Sequence, residues 1–115
     1  MPGFALDADR LAQLRVFSDA ERNAITKGAA SAITDQLGRV DHALAKSDLH
    51  AAADAAHRAR NETLLVGAHE LTTAFADLER AARGGQQALA REAAEQVKAV
   101  WPATEAALDQ VAGAD

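Results

Sequence analysis

Apolar residues recur every three or four positions along most of the chain, a spacing that is typical of amphipathic α-helices. The pattern predicts helices over residues 7–17, 19–46, 49–66 and 68–83, with a last helix that begins near residue 86. Four long segments joined by short turns predict an all-α fold, an antiparallel up-down-up-down four-helix bundle. We expect the short N-terminal helix to cap one end of it. The most regular stripe lies on the third helix and consists of Leu49, Ala52, Ala56, Ala59, Thr63 and Val66.

Residues that begin helices lie at the predicted boundaries. Asp7 is a candidate N-cap, because its carboxylate can accept hydrogen bonds from the first backbone N–H groups of a helix. Ser18, with Glu21 three residues later, has the pattern of a capping box. Either Ser47 or Asp48 is expected to cap the third helix.

Glycine and proline predict where helices end or bend. Gly67 marks a tight turn after the third helix, and Gly84-Gly85 ends the fourth. Pro102 lies within the last segment and lacks the N–H that would bond to the carbonyl of Lys98. We therefore expect a kink or a fresh helix start at Pro102.

The composition strengthens the helical assignment. The chain contains 31 alanines and few of the β-branched and aromatic residues that sheets favour. Because alanine buries little surface, the expected core is thin and closely packed. A length of 115 residues without a repeat or linker indicates a single domain over residues 1–115.

Charge and residue usage exclude several classes of function. The net charge is −5, so we expect no nucleic-acid partner, and the absence of cysteine excludes disulfides and cysteine-ligated zinc. No apolar run approaches the roughly 20 residues that span a bilayer. The N-terminal residues also lack the pattern of a signal peptide. We therefore expect no membrane partner and a cytoplasmic location.

A polar surface on the third helix carries the candidate chemistry. At 100° per residue, His57 points about 135° away from the apolar stripe. His50, Asp54 and Asn61 fall on the same outward face, and Arg60 lies one turn from His57. Neutral imidazole is a nucleophile near neutral pH, and a phosphoryl group on His57 would lie close to the guanidinium of Arg60.

Small and apolar residues beside this face predict a contact with another protein. Leu64 and Leu65 point outward near His57, and Ala53 offers little bulk on the side of the histidine. Exposed leucines give a partner a surface to bury. The predicted docking residues are His50, Ala53, Asp54, Leu64 and Leu65.

The third helix resembles that of the histidine-containing phosphotransfer (Hpt) family. That family has an Ala-His pair, a basic residue three positions after the histidine and a glycine ten positions after it. Here the matching residues are Ala56-His57, Arg60 and Gly67. The resemblance covers about residues 8 to 112, so the chain is similar to a free-standing Hpt protein.

The resemblance implies a phosphoryl carrier rather than a self-contained enzyme. His57 would accept a phosphoryl group through Nε2 from a receiver-domain aspartate and pass it to another receiver, with Arg60 and Asn61 supporting the phosphoryl group. The implied partners are response-regulator receiver domains and a hybrid sensor histidine kinase. Mg²⁺ would be bound by the receiver, so we expect no cofactor on this chain. We expect the chain to be monomeric.

Asn61 departs from the family pattern, which usually has glycine one position after the basic residue. A side chain at this place either crowds the approach of a receiver's active site or hydrogen-bonds the phosphoryl group. The alternative function is therefore an Hpt-like helical module that docks on a kinase or receiver without transferring phosphate.

A metal site is a weaker interpretation of the same helix face. His50, Asp54 and His57 have a spacing that could bind a divalent cation. They lie on one helix without a second cluster of ligands. A solvated polar face is the preferred interpretation, and we predict no metal.

The remaining polar and aromatic groups predict ordinary surfaces. Asp77 and Glu79 with Arg80 and Arg83 are typical of a charged helix face. Either arginine is a candidate to reach the histidine, but the sequence does not orient its helix. Trp101 is expected to pack in the core or at the bundle end, with a partner contact as the alternative.

Overall fold

A computed structural model describes residues 6–112 of the chain, and these residues contain helices and turns but no strand. The prediction of an all-α fold is therefore confirmed. No helix in the described part is long and apolar enough to cross a membrane. The helices are α1 (Ala8–Leu14), α2 (Asp19–Ala45), α3 (Leu49–Leu65), α4 (His69–Arg83) and α5 (Gln87–Ala112).

The predicted helix starts are confirmed by their hydrogen bonds. The Asp7 carboxylate accepts from the backbone N–H groups of Asp9 and Arg10, at 2.7 and 3.2 Å. Ser18 and Glu21 form the capping box, each side chain accepting from the other residue's N–H. Of the two candidates before α3, Asp48 is the cap, and it accepts from the N–H of Ala51 at 3.1 Å.

The core lies between the four long helices. α3 packs against α2 and α4, and α5 packs against α4 and α2. Alanines line the buried side of α3, which brings the neighbouring helices close, while Phe75 of α4 and Ile33 of α2 supply larger buried side chains. Trp101 is partly buried and packs against this core.

Two local predictions are wrong, and one of the two alternatives expected at Pro102 is excluded. α1 ends at Leu14 rather than at residue 17, which leaves Phe17 outside the helix and 40% exposed. The apolar spacing of the last segment places Leu89 on its buried stripe, but Leu89 is 48% exposed. No fresh helix starts at Pro102: α5 continues through it, because the proline removes only one backbone hydrogen bond and Val97 and Leu108 on either side are buried in the core. The spacing also places Leu11 on the apolar edge of α1, but its side chain lies outside the described part of the structure.

The turn between α3 and α4 holds the N-terminal segment. Gly67 has φ of +73°, and its carbonyl accepts from the N–H of Asp7 at 2.7 Å. A Cβ at Gly67 would lie 2.7 Å from Cβ of Arg10 and 2.8 Å from Cβ of Asp7. His69 also hydrogen-bonds the Asp7 carboxylate. The glycine therefore allows both the left-handed turn and the close approach of α1.

Replacing Gly67 with alanine is expected to lower the free energy of unfolding by about 2–4 kcal/mol, because the left-handed backbone and the steric overlap both oppose a Cβ. Urea unfolding measures this loss. Gly85→Ala is the matched control, since Gly85 has φ of +70° with open space around it. The expected loss of unfolding free energy in Gly85→Ala is about 1 kcal/mol. Equal losses in the two variants would contradict the packing of α1 on this turn.

Candidate functional site

His57 lies in the middle of α3 and faces α4. Ala56 and Ala59 on the same helix are fully buried, which fixes the rotation of the helix about its axis. The imidazole is 44% exposed. The helical spacing within α3 predicts a side chain that points straight into solvent. The imidazole instead rests against α4.

One ring nitrogen of His57 is held by two side chains of opposite charge. Nδ1 lies 3.2 Å and 3.3 Å from the two carboxylate oxygens of Glu79. The same Nδ1 lies 3.1 Å from Nη2 of Arg60. Within the described residues no hydrogen bond reaches Nε2 of His57. The described contacts of the imidazole therefore all lie at Nδ1.

Glu79 is the most buried charged group of the site. Its side chain is 13% exposed, and its oxygens accept from Arg83 Nε at 3.1 Å and lie 3.4 Å from Arg60 Nη1. Burial opposes ionisation, but the hydrogen bonds from Arg83 and His57 and the charge of Arg60 outweigh it. The pKa of Glu79 therefore lies below its usual value, and the group is a carboxylate at neutral pH.

Arg60 and Glu79 compete for the same nitrogen. A guanidinium only donates hydrogen bonds, and a carboxylate only accepts them. When Nδ1 of His57 carries the proton, it donates to Glu79 and Nε2 has a free lone pair. When Nδ1 is unprotonated in the neutral ring, it accepts from Arg60 and Nε2 carries the proton. The neutral tautomer therefore depends on whether Nδ1 pairs with Glu79 or with Arg60.

Ion pairs extend the site along α3 and α4. Arg83 Nη2 lies 3.4 Å from Oδ1 of Asp54, which precedes His57 by one helical turn. Nε2 of His50 lies 3.4 Å from the other oxygen of Asp54. The five residues form a continuous charged cluster in the order His50, Asp54, Arg83, Glu79, His57.

Most of the predicted surface residues are accessible. Asn61 is exposed one turn beyond His57, and Leu64 and Leu65 are 46% and 55% exposed. His50 is strongly exposed, and Asp54 is half-exposed. Arg60, predicted to lean toward His57, contacts its ring.

The prediction for Ala53 is wrong. Ala53 is fully buried together with Ala52, so it cannot contact a partner protein. The apolar stripe predicted a narrow seam, but α3 packs between α2 and α4 and buries a broader face. Ala53 and Ala55 belong to this wider face.

The contact between Glu79 and His57 was not predicted, because the charge pattern of α4 is that of an ordinary charged surface. A signal was present in the apolar pattern of α4. Glu79 follows Phe75 by four residues and Leu78 by one, and both are fully buried. A carboxylate at the border of a buried stripe lies close to the neighbouring helix, where it needs a partner.

A metal ion has little support at this site. No group of three or more histidine, cysteine, aspartate or glutamate side chains in the described residues is arranged to hold one. The acidic groups beside His57 and His50 are instead paired with Arg83. The geometry favours ion pairing with arginine over metal coordination.

The lowered pKa of Glu79 predicts a pH dependence of stability. Folding favours the ionised carboxylate of Glu79. Its contribution to the free energy of unfolding is therefore complete above the ordinary pKa of 4.5, and it is lost as the pH falls through the lower pKa of the folded protein. Urea unfolding between about pH 6 and pH 3 measures the effect. We expect wild type to lose stability more steeply with falling pH than Glu79→Gln. Parallel curves for the two proteins would contradict the lowered pKa.

Comparisons with protein-family models, with curated proteins and with solved structures find no match for this chain. The functional assignment therefore depends on the residues and the geometry described above. The positions that carry the Hpt resemblance lie on α3 and its following turn, at His57, Arg60 and Gly67.

Proposed function

We propose that this chain is a histidine phosphotransfer protein of a phosphorelay. It accepts a phosphoryl group on His57 from the aspartate of one receiver domain and passes it to another receiver. One observation carries the proposal: Nδ1 of a half-exposed histidine faces a largely buried carboxylate, while none of the described hydrogen bonds uses Nε2. This arrangement suits a nucleophile that must be reached by another protein.

The transfer step uses the tautomer that Glu79 favours. The lone pair of Nε2 forms the N–P bond, and the P–O bond to the receiver's aspartate breaks, which leaves that aspartate as a carboxylate. Nδ1 keeps its proton, so the phosphorylated ring becomes an imidazolium. The Glu79 carboxylate, 3.2 Å from Nδ1, stabilises this positive charge without a proton leaving the site.

Positive charge around the ring supports the incoming phosphoryl group. Arg60 is one-third exposed and lies one turn from His57. Its guanidinium can turn from Nδ1 toward a phosphoryl group on Nε2 and pair with its oxygens. Mg²⁺ and the phospho-aspartate come from the receiver domain, so this chain acts as a carrier rather than as a self-contained enzyme and requires no cofactor of its own.

The packing supports the finer architecture of the family. We infer that α2 to α5 form an antiparallel up-down-up-down bundle, with α1 across the end that contains the α3–α4 turn. Short turns join successive long helices, and each of these helices packs against two others. In this arrangement His57 lies halfway along one side of the bundle, where a receiver can approach it.

The surface around His57 supports docking. Leu64 and Leu65 lie toward the end of α3 and are exposed, while His50 and Asp54 lie toward its start. We propose that a receiver domain covers this strip in a transient complex, with a hybrid sensor histidine kinase supplying the first receiver. The carrier then acts as a cytoplasmic monomer.

Phosphoryl transfer tests the proposal. The protein is incubated with a panel of receiver domains that carry radiolabelled phospho-aspartate, and label on this chain is followed by gel electrophoresis. We expect acid-labile, base-stable label on the chain with at least one receiver. Absence of label from every receiver, including those encoded beside this gene, would contradict the proposal.

The alternative is an Hpt-like module that docks on a kinase or receiver without transferring phosphate. The exposed side chain of Asn61, one turn from His57, is the observation that favours it. A non-transferring module would bind receivers but stay unlabelled, both as wild type and as Asn61→Gly. Efficient labelling of the wild-type chain rules this alternative out. Binding is measured in parallel by titration calorimetry.

A further inference from the structure

A series of contacts between α3 and α4 joins Asp54, Arg83, Glu79 and His57. On α3, Asp54 and His57 are one turn apart, and on α4, Glu79 and Arg83 are one turn apart. Arg83 contacts Asp54 at 3.4 Å and Glu79 at 3.1 Å, and Glu79 contacts His57 at 3.2 Å. Arg83 is therefore the member that joins both helices while touching the carboxylate that holds the imidazole.

Arg83 and Arg60 contact different oxygens of Glu79. Arg83 Nε donates to Oε2, and Arg60 Nη1 lies 3.4 Å from Oε1. A glutamate side chain has several rotatable bonds, and ion pairs with the two arginines restrain both of its carboxylate oxygens. Without Arg83, the carboxylate is drawn toward Arg60 alone, and Nδ1 of His57 loses its fixed acceptor.

We propose that Arg83, itself held by Asp54, is a positioning residue that sets the tautomer of His57. It keeps Glu79 over Nδ1, so that Nδ1 carries the proton and Nε2 is the unprotonated nitrogen. When the ion pair between Arg83 and Glu79 is removed, Arg60 donates a hydrogen bond to Nδ1 of His57, and the ring proton moves to Nε2. The effect on transfer rests on the proposed function, whereas the effect on the tautomer does not.

Nitrogen-15 NMR of histidine-labelled protein tests the proposal above the pH at which imidazole titrates. In wild type we expect His57 Nδ1 to have the chemical shift of a protonated ring nitrogen and Nε2 that of an unprotonated one. Arg83→Met is expected to shift the population toward protonated Nε2. Asp54→Asn is expected to cause a smaller shift in the same direction, because it weakens the support of Arg83.

Arg80→Met is the matched control. Arg80 lies on the same helix and is strongly exposed, and its partner is Asp77 at 3.1 Å rather than Glu79. The substitution removes the same charge without touching the contacts that join Asp54, Arg83, Glu79 and His57. We expect the wild-type tautomer in this variant and a wild-type rate of phosphoryl transfer. Circular dichroism checks that all variants retain their helical content.

The rate of phosphoryl transfer supplies the second readout. Loss of a residue that orients a reacting group commonly lowers activity by tenfold or more, so we expect Arg83→Met to transfer about tenfold more slowly than wild type. A wild-type tautomer in Arg83→Met would overturn the positioning role, whatever the transfer rate. If no receiver labels the wild-type chain, the proposed function fails, and the NMR comparison still decides the role of Arg83.

Discussion

Replacing His57 with glutamine is expected to abolish phosphorylation of this chain by every receiver that labels wild type. The amide of glutamine approximates the size and polarity of imidazole but has no nitrogen lone pair of comparable nucleophilicity. Because the side chain is half-exposed, the helix should tolerate the change. The measurement is the acid-labile label recovered on the chain.

His42→Gln provides the control for this loss. His42 is an exposed histidine of α2 and lies outside the proposed site. The variant is expected to be labelled at the wild-type rate. Label that persists in His57→Gln would place the phosphoryl group on another residue and contradict the assignment of His57.

Replacing Phe75 with alanine is expected to have the largest effect on stability. Phe75 is fully buried, and it is the largest of the fully buried side chains in an otherwise alanine-rich core. Truncation of a buried phenylalanine costs about 3–5 kcal/mol through lost burial and the cavity left behind. The free energy of unfolding of a small domain is about 5–15 kcal/mol in total. The variant should therefore unfold at a much lower urea concentration than wild type.

Phe17→Ala is the comparison for Phe75→Ala. Phe17 lies between α1 and α2 and is 40% exposed, so its truncation is expected to cost less than about 1 kcal/mol. Urea unfolding followed by circular dichroism measures both variants. Similar losses in the two proteins would contradict the assignment of Phe75 to the core.

The helices were predictable because the signals that define them are local. The capping box of Ser18 and Glu21 and the cap at Asp48 are short-range hydrogen bonds that the sequence encodes within four residues. The left-handed turns at Gly67 and Gly85 are likewise marked by the residue type alone. Pro102 does not start a new helix, because packing on both sides of it outweighs the loss of one hydrogen bond.

The site was predictable only in part. The position of His57 on α3 and its proximity to Arg60 follow from helical spacing within one helix. The contacts with Glu79 and Arg83 depend on how α4 is rotated against α3, which the spacing within either helix leaves undetermined. The burial of Ala53 also depends on how the helices pack. Because α3 lies between α2 and α4, it buries a wider face than its single apolar stripe indicates.

Glu79 and Arg83 change the chemical description of the site. A solvated neutral histidine favours the proton on Nε2, whereas His57 has a carboxylate at Nδ1 that can hold the proton there, beside the guanidinium of Arg60. The contact with α4 thereby distinguishes the two nitrogens of the ring. A phosphoryl carrier requires this distinction, because a single nitrogen must both accept and release the phosphoryl group.

Nitrogen-15 NMR of the phosphorylated protein tests the central claim most directly. The histidine-labelled chain is phosphorylated by a receiver that labels it, and the ring nitrogens are recorded before and after transfer. We expect a phosphorus coupling on Nε2 of His57, with Nδ1 still protonated beside Glu79. A phosphoryl group on Nδ1 of His57, or on any other residue, would contradict the proposed function of the site.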